Sequence, residues 1–149
     1  MTGPSGGTAH HGRAAMRAAG VLYLCLGAGF GIPAAIGAAY RARTGGVWHF
    51  MDFPTHATGP FFESLGIRIS VPLILGFVAA CAVQATAGAL MLIPMRGAGV
   101  LAIAVLPVTA IYWAGFVLPF APPAAAAAVA LQVIGWLARA RARREPVRR

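Results

Sequence analysis

The candidate residues for catalysis or metal binding lie in one segment, residues 41–69, while two further histidines, His10 and His11, lie in the N-terminal tail. Histidines and carboxylates serve as metal ligands or as acid–base pairs, and the candidates here are His49, Asp52, His56 and Glu63. His49 and Asp52 could share one face of a helix, but Pro54 disfavours continuing that helix to His56. The spacing does not establish that three ligands converge. We therefore predict no metal site and favour structural roles, in which the carboxylates pair with arginines or cap a helix.

A second set of side chains could bind a ligand within the apolar part of the chain: Gln84, Thr109, Tyr112 and Trp113. These groups offer hydrogen bonds and aromatic stacking. Gln84, Thr109 and Gln132 are the strongly hydrogen-bonding side chains near the middle of the apolar segments, where a neighbouring helix is the nearest source of a partner. We therefore favour hydrogen bonds between helices over contacts to a ligand.

Four apolar runs position these side chains, and none of them contains Asp, Glu, Lys, Arg or His: 18–40, 70–94, 97–119 and 122–138. Each run has about 17–25 residues, enough for a helix to cross a hydrocarbon core about 30 Å thick. The chain is 59% hydrophobic and only 10% charged, which is typical of a membrane bundle and not of a soluble domain. The sequence predicts an all-α, polytopic membrane protein: a four-helix transmembrane bundle with one structured outer loop, residues 41–69.

The distribution of arginines predicts the orientation of the bundle. Nine of the twelve basic residues fall on the side that carries both termini, and three fall on the opposite side. The positive-inside rule then places both termini in the cytoplasm. All twelve basic residues are Arg, and with the abundance of Ala and Gly this composition suggests a GC-rich bacterial source, so we expect a bacterial inner membrane. We expect residues 1–17 to form a disordered tail. We expect residues 139–149 to form a basic tail that contacts lipid headgroups and not nucleic acid.

Two further patterns concern packing. Five aromatic residues in the loop favour a short segment that folds back over the mouth of the bundle: Trp48, Phe50, Phe53, Phe61 and Phe62. In the first run, Gly27 and Gly31 have the four-residue spacing that lets a neighbouring helix backbone approach closely. We interpret this face as a packing surface and not as a substrate groove.

Several segments resemble the DoxX-like group of small four-helix bacterial membrane proteins. They are the Gly-rich opening Leu22–Pro33 and, within Val83–Pro123, Gly88-Ala-Leu-Met-Leu, the turn at Arg96 and Tyr112-Trp-Ala-Gly-Phe-Val-Leu-Pro-Phe-Ala-Pro-Pro. The loop segment Pro54-Thr-His-Ala-Thr-Gly-Pro-Phe is similar to an uncharacterised actinobacterial subset. The resemblance covers most of residues 20–138. It implies a four-helix fold, and the wider group includes subunits tied to quinone and thiol oxidation, but the resemblance assigns no catalytic residue to this sequence.

Three functions remain open at this point. The favoured one is a non-enzymatic accessory or structural membrane subunit that packs with itself or with a membrane partner. The alternative is a redox or lipid-associated component that binds a quinone-like or isoprenoid molecule between the first and third spans, with the outer loop as a lid. A transporter is least favoured, because no ionisable residue lies at mid-span. No cofactor is assigned.

Overall fold

The computed structural model describes residues 5–50, 53–55, 59–93 and 95–144. Four of its helices are long and apolar enough to cross a membrane, which confirms the predicted all-α four-helix bundle with one structured loop. The elements in chain order are α1 (Ser5–Thr44), β1 (His49–Phe50), β2 (Phe53–Pro54), α2 (Pro60–Ser64), α3 (Val71–Leu92), α4 (Ala98–Gly115) and α5 (Ala121–Arg144).

Local sequence explains where the two central helices begin and end. Ser70 caps α3, because its Oγ accepts a hydrogen bond from the Leu73 backbone N–H at 3.5 Å, and a proline occupies the first turn. α4 begins after Gly97, whose φ of 87° lies in the left-handed region that glycine adopts at little cost. α4 ends at Gly115, earlier than the predicted span end at residue 119.

Two helices extend beyond the predicted spans. The segment 5–17, predicted to be a disordered tail, is helical and belongs to α1, while α5 includes residues 139–144 of the predicted basic tail. Packing between α1 and α5 stabilises both extensions, because most helical stability in proteins comes from such contacts. Met16 is buried, and a Cβ atom on Gly12 would lie 2.9 Å from the Cβ atom of Ala138.

The helices form a ring in which α1 packs against α3 and α5, and α3 packs against α4. The remaining neighbours, α4 and α5, touch only sparsely, and α1 and α4 lie diagonally opposite each other. We call the end that holds the start of α1, the α3–α4 turn (residues 93 and 95–97) and the end of α5 the basic end. The opposite end, with residues 45–50, 53–55 and 59–70 and the α4–α5 turn (116–120), is the loop end.

The contact between α1 and α3 is made by backbone against backbone. A Cβ atom on Gly27 would lie 2.5 Å from both the Ala85 nitrogen and the Cys81 oxygen. On the facing helix, a Cβ atom on Gly88 would lie 2.7 Å from the Gly20 oxygen. Glycines on both helices therefore permit an approach that no other residue would allow.

Two apolar clusters fill the bundle. The cluster near the loop end includes Phe77 and Trp113, and the cluster near the basic end includes Tyr23 and Met91. Gln84 lies on α3 between the residues that α3 contributes to the two clusters, and its side chain is 1% exposed.

Candidate functional site

The loop folds back on the bundle at the loop end. β1 and β2 pair antiparallel, and Thr55 closes this hairpin through its backbone N–H and its Oγ1, which both donate to the Trp48 carbonyl oxygen. A Cβ atom on Gly37 of α1 would lie 3.4 Å from Thr55 Oγ1, so the hairpin rests against α1.

The short helix α2 inserts an aromatic side chain into the bundle. Phe62 is 4% exposed and makes edge contacts with Tyr112 and Phe116, with ring centroids 6.0 and 5.3 Å apart. Phe77 of α3 completes this aromatic cluster, 5.3 Å from Tyr112. The Phe62 ring lies directly over Gly115, where any Cβ atom would collide with it. Aromatic pairs of this kind contribute about 0.5–1.5 kcal/mol each beyond the area they bury, so the loop is fixed to the bundle through Phe62.

The candidate acid–base residues are not brought together in the part of the chain that the structure describes. His49 and Glu63 are both exposed, and Asp52 and His56 lie outside the described residues. Glu63 Oε1 accepts a hydrogen bond from the Gly59 backbone N–H at 3.3 Å, so this carboxylate caps the start of α2. Among the described residues, no group of three His, Cys, Asp or Glu side chains is close enough to hold a metal ion.

The polar candidates within the bundle behave differently from one another. Thr109 Oγ1 donates to the Leu106 carbonyl oxygen of its own helix at 3.0 Å. Gln132 of α5 does bond to another helix, since its Nε2 donates to the Gly99 carbonyl oxygen of α4 at 2.7 Å. Neither amide atom of Gln84 has a hydrogen-bond partner among the described residues, and the same holds for Tyr23 Oη and Gln132 Oε1.

Of the two aromatic candidates, Trp113 borders an open space and Tyr112 belongs to the aromatic cluster. The Tyr112 Oη lies so close to Gly76 that a Cβ atom there would overlap it. Trp113 forms one wall of an apolar groove of about 460 Å³ between α4 and α5 in the loop-end half of the bundle. The groove therefore lies between α4 and α5, whereas the alternative function expected a ligand between α1 and α4.

The groove has an alanine-rich lining with no ionisable side chain. Ala110 and Ala114 are exposed on α4 at the four-residue spacing that favours close approach of another helix. The side chains that shape it include Leu106, Ala110, Trp113, Ala114, Ala125 and Ala126. A surface of this kind accepts apolar partners: a lipid chain or a transmembrane helix.

The groove ends at a strained residue. Val117 has a φ of 53°, in the left-handed region that a β-branched residue rarely adopts. The Val117 N–H donates to the Ala114 oxygen at 3.3 Å and the Leu118 N–H to the Trp113 oxygen at 2.9 Å, which together form a Schellman motif with valine in the usual position of glycine. Val117 is 59% exposed and lines the groove.

Sequence reasoning missed the groove and the anchoring role of Phe62. Phe62 was expected among several loop aromatics, without a signal that set it apart from Phe61. A signal for its position exists at Gly115, a small residue at the helix end that faces it. The groove depends on how far α4 and α5 diverge, which the sequence of neither helix encodes alone.

No protein-family model matches the chain, and neither a curated protein nor a solved structure matches it. The resemblance to the DoxX-like group therefore stays a prediction.

Proposed function

We propose that this protein is a non-enzymatic membrane subunit that assembles with a second copy of itself, with the groove between α4 and α5 as the contact. The observation that carries the proposal is the groove: an apolar, alanine-lined surface at the one place in the ring where neighbouring helices touch only sparsely. Two-fold dimers are the most common closed assemblies of identical chains. A second copy would supply the helix contacts that α4 and α5 lack.

The chemistry of the lining supports this function over an enzymatic one. Small residues let helix backbones approach within a membrane, where packing and not the hydrophobic effect drives association. The groove contains no acid, base or nucleophile. His49 and Glu63, the candidates for acid–base chemistry that the structure describes, are exposed in the loop, outside the groove lining.

Native mass spectrometry of the protein extracted with its own lipids tests the proposal. We expect a dimer in the wild type and a marked loss of that dimer in Ala114→Leu, because the larger side chain fills the groove. Val108→Leu is the matched control, since Val108 is 47% exposed on another face of the same helix and does not line the groove. A wild type that stays monomeric with its lipids retained would overturn the proposal.

A second candidate occupies the same groove. The groove is apolar and is bordered by Trp113, which is 4% exposed, and an apolar groove of about 460 Å³ can hold the chain of a quinone-like or isoprenoid molecule, which favours the lipid-associated function that the DoxX-like resemblance implies. The same spectra separate the two candidates, because a retained prenyl compound adds a small mass to the monomer whereas a second copy doubles it. Loss of that small mass in a His56→Ala, Glu63→Ala double variant would place the headgroup in the loop.

The setting of the protein is part of the proposal. We place it in the bacterial cell membrane, from its composition, with the basic end in the cytoplasm, from the arginine distribution. Labelling of single cysteines with a membrane-impermeant reagent in intact cells tests the orientation. A cysteine at Ser64 should react and a cysteine at Ala140 should not, in a Cys25→Ala, Cys81→Ala background.

A further inference from the structure

A small pocket of about 90 Å³ lies at the basic end of the bundle, away from the groove. Two arginines from different segments line it: Arg96 from the α3–α4 turn and Arg139 from α5. Its remaining walls are mostly apolar and come from Met16, Met91, Ile93, Met95 and Gly99. The pocket therefore combines two cationic groups with a floor of methionine and isoleucine side chains.

The fold fixes this arrangement. Residues of α1, the end of α3, the α3–α4 turn, α4 and α5 all meet at the pocket, so it exists only when the bundle is assembled. Gln132 holds one wall in place, because its Nε2 donates to the Gly99 carbonyl oxygen at 2.7 Å. Met16 and Met91 are both 6% exposed and belong to the basic-end cluster.

The charge of the pocket has no counterpart in the part of the chain that the structure describes. Glu63 is the acidic residue within the described ranges, and it lies at the loop end. The start of α4 adds to the positive potential, because the N-cap residue Gly97 provides no side-chain hydrogen bond to the first N–H groups. Arg96 and Arg139 are both exposed and line one pocket, and two positive charges near each other favour a bound anion.

We propose that the pocket binds the phosphate group of an anionic phospholipid between Arg96 and Arg139. Guanidinium groups recognise phosphate oxygens with paired N–H donors, which makes phosphate the best-matched anion. The methionine floor points to a lipid and not to free phosphate, since it offers contact to the glycerol and the first carbons of an acyl chain. Basic pockets between transmembrane helices at the membrane surface bind acidic lipid headgroups in this way.

The proposal is tested by lipid retention in nanodiscs that contain phosphatidylglycerol and phosphatidylcholine in equal amounts. Native mass spectrometry should find one phosphatidylglycerol per chain retained in preference to phosphatidylcholine. In the double variant Arg96→Gln, Arg139→Gln we expect this preference to fall by roughly twenty-five-fold, with a factor of five for each arginine. The double variant Arg13→Gln, Arg141→Gln removes the same charge from positions at the basic end that are equally exposed but do not line the pocket, and it should lose clearly less of the preference than the pocket variant.

Three results would overturn the proposal. An equal loss in both double variants would mean that the basic end attracts acidic lipid only through its overall charge. Displacement of the lipid by millimolar inorganic phosphate, at ionic strength matched with chloride, would assign the pocket to free phosphate. Unchanged retention in an Arg96→Gln, Arg139→Gln protein that melts at the wild-type temperature in phosphatidylcholine nanodiscs would show that the arginines do not bind lipid.

Discussion

The contacts of α1 with α3 and of α4 with α5 are opposites within one small bundle. Between α1 and α3, glycines bring backbone atoms so close that a single added carbon on Gly27 would lie 2.5 Å from two backbone atoms. Between α4 and α5 there is a groove of about 460 Å³. A hydrogen bond from Gln132 to Gly99 joins these two helices near the basic end. One helix pair is closed by the chain itself, while the other is left open towards its surroundings.

The difference shows that one helix contact of such a bundle can stabilise the fold while another remains available for binding a partner. In a membrane, apolar side chains gain little by leaving lipid, so helix pairs are held by close packing and by hydrogen bonds. The α1–α3 pair uses close packing along much of its length. The α4–α5 pair has little of it, and the surface that remains has the alanine-rich composition on which another helix can pack.

The largest effect is expected from a substitution that forces the closely packed helices α1 and α3 apart. Gly27→Ala places a Cβ atom against the Ala85 nitrogen and the Cys81 oxygen, and neither backbone atom can move without separating the helices. Overpacking of this kind costs about 3 kcal/mol, and relaxation of the helices decides the exact value. The measurement is reversible unfolding in mixed detergent micelles.

Gly29→Ala is the matched control for that variant. It lies on the same helix, but a Cβ atom at Gly29 would meet nothing within 4 Å. We expect it to gain about 0.5–1 kcal/mol, because alanine loses less backbone entropy in a helix than glycine does. Equal destabilisation by both variants would mean that the glycines matter for helix flexibility and not for contact.

The close contact between α1 and α3 was easier to predict from the sequence than the groove between α4 and α5. Gly27 and Gly31 stand at a spacing that a sequence displays directly, and close packing of that face is what the structure contains. The four apolar runs were equally visible, because a helix must be apolar over its full length to cross a bilayer. The start of α1 at Ser5 was not visible, since it depends on packing of Met16 and Gly12 against α5.

A smaller effect on stability is expected at Val117, which follows α4 at the end of the groove between α4 and α5. Val117→Gly relieves a left-handed conformation that costs a branched residue about 1–2 kcal/mol, and part of this gain is offset by the greater entropy of glycine in the unfolded chain. We expect the free energy of unfolding to rise by about 1 kcal/mol. Val108→Gly, within the body of α4, should lower it by the ordinary helix penalty of glycine.

If Val117→Gly leaves stability unchanged, the left-handed conformation carries no strain in this setting. If stability rises while the dimer or lipid signal in native mass spectrometry is lost, the valine side chain contributes to whatever occupies the groove. Strained residues are often retained where they serve binding. Nothing in the sequence marks Val117, because its conformation arises only when α4 ends at Gly115 instead of continuing to the predicted residue 119.

The smallest effect on stability is expected at the two buried glutamines, Gln84 and Gln132. The sequence predicts the same role for both, but in the structure they differ in their hydrogen bonds. Gln132→Leu removes the hydrogen bond to Gly99 and should cost about 0.6 kcal/mol, the average for such bonds within membranes. Gln84→Leu should be neutral or slightly stabilising, because its amide has no partner among the described residues and a buried polar group without one carries a desolvation cost. Unfolding of both variants under the same conditions gives the comparison. A larger loss for Gln84→Leu than for Gln132→Leu would reverse the assignment, since it would mean that the Gln84 amide has a partner, and a ligand contact, the less favoured role for Gln84 in the sequence, would then come back into consideration.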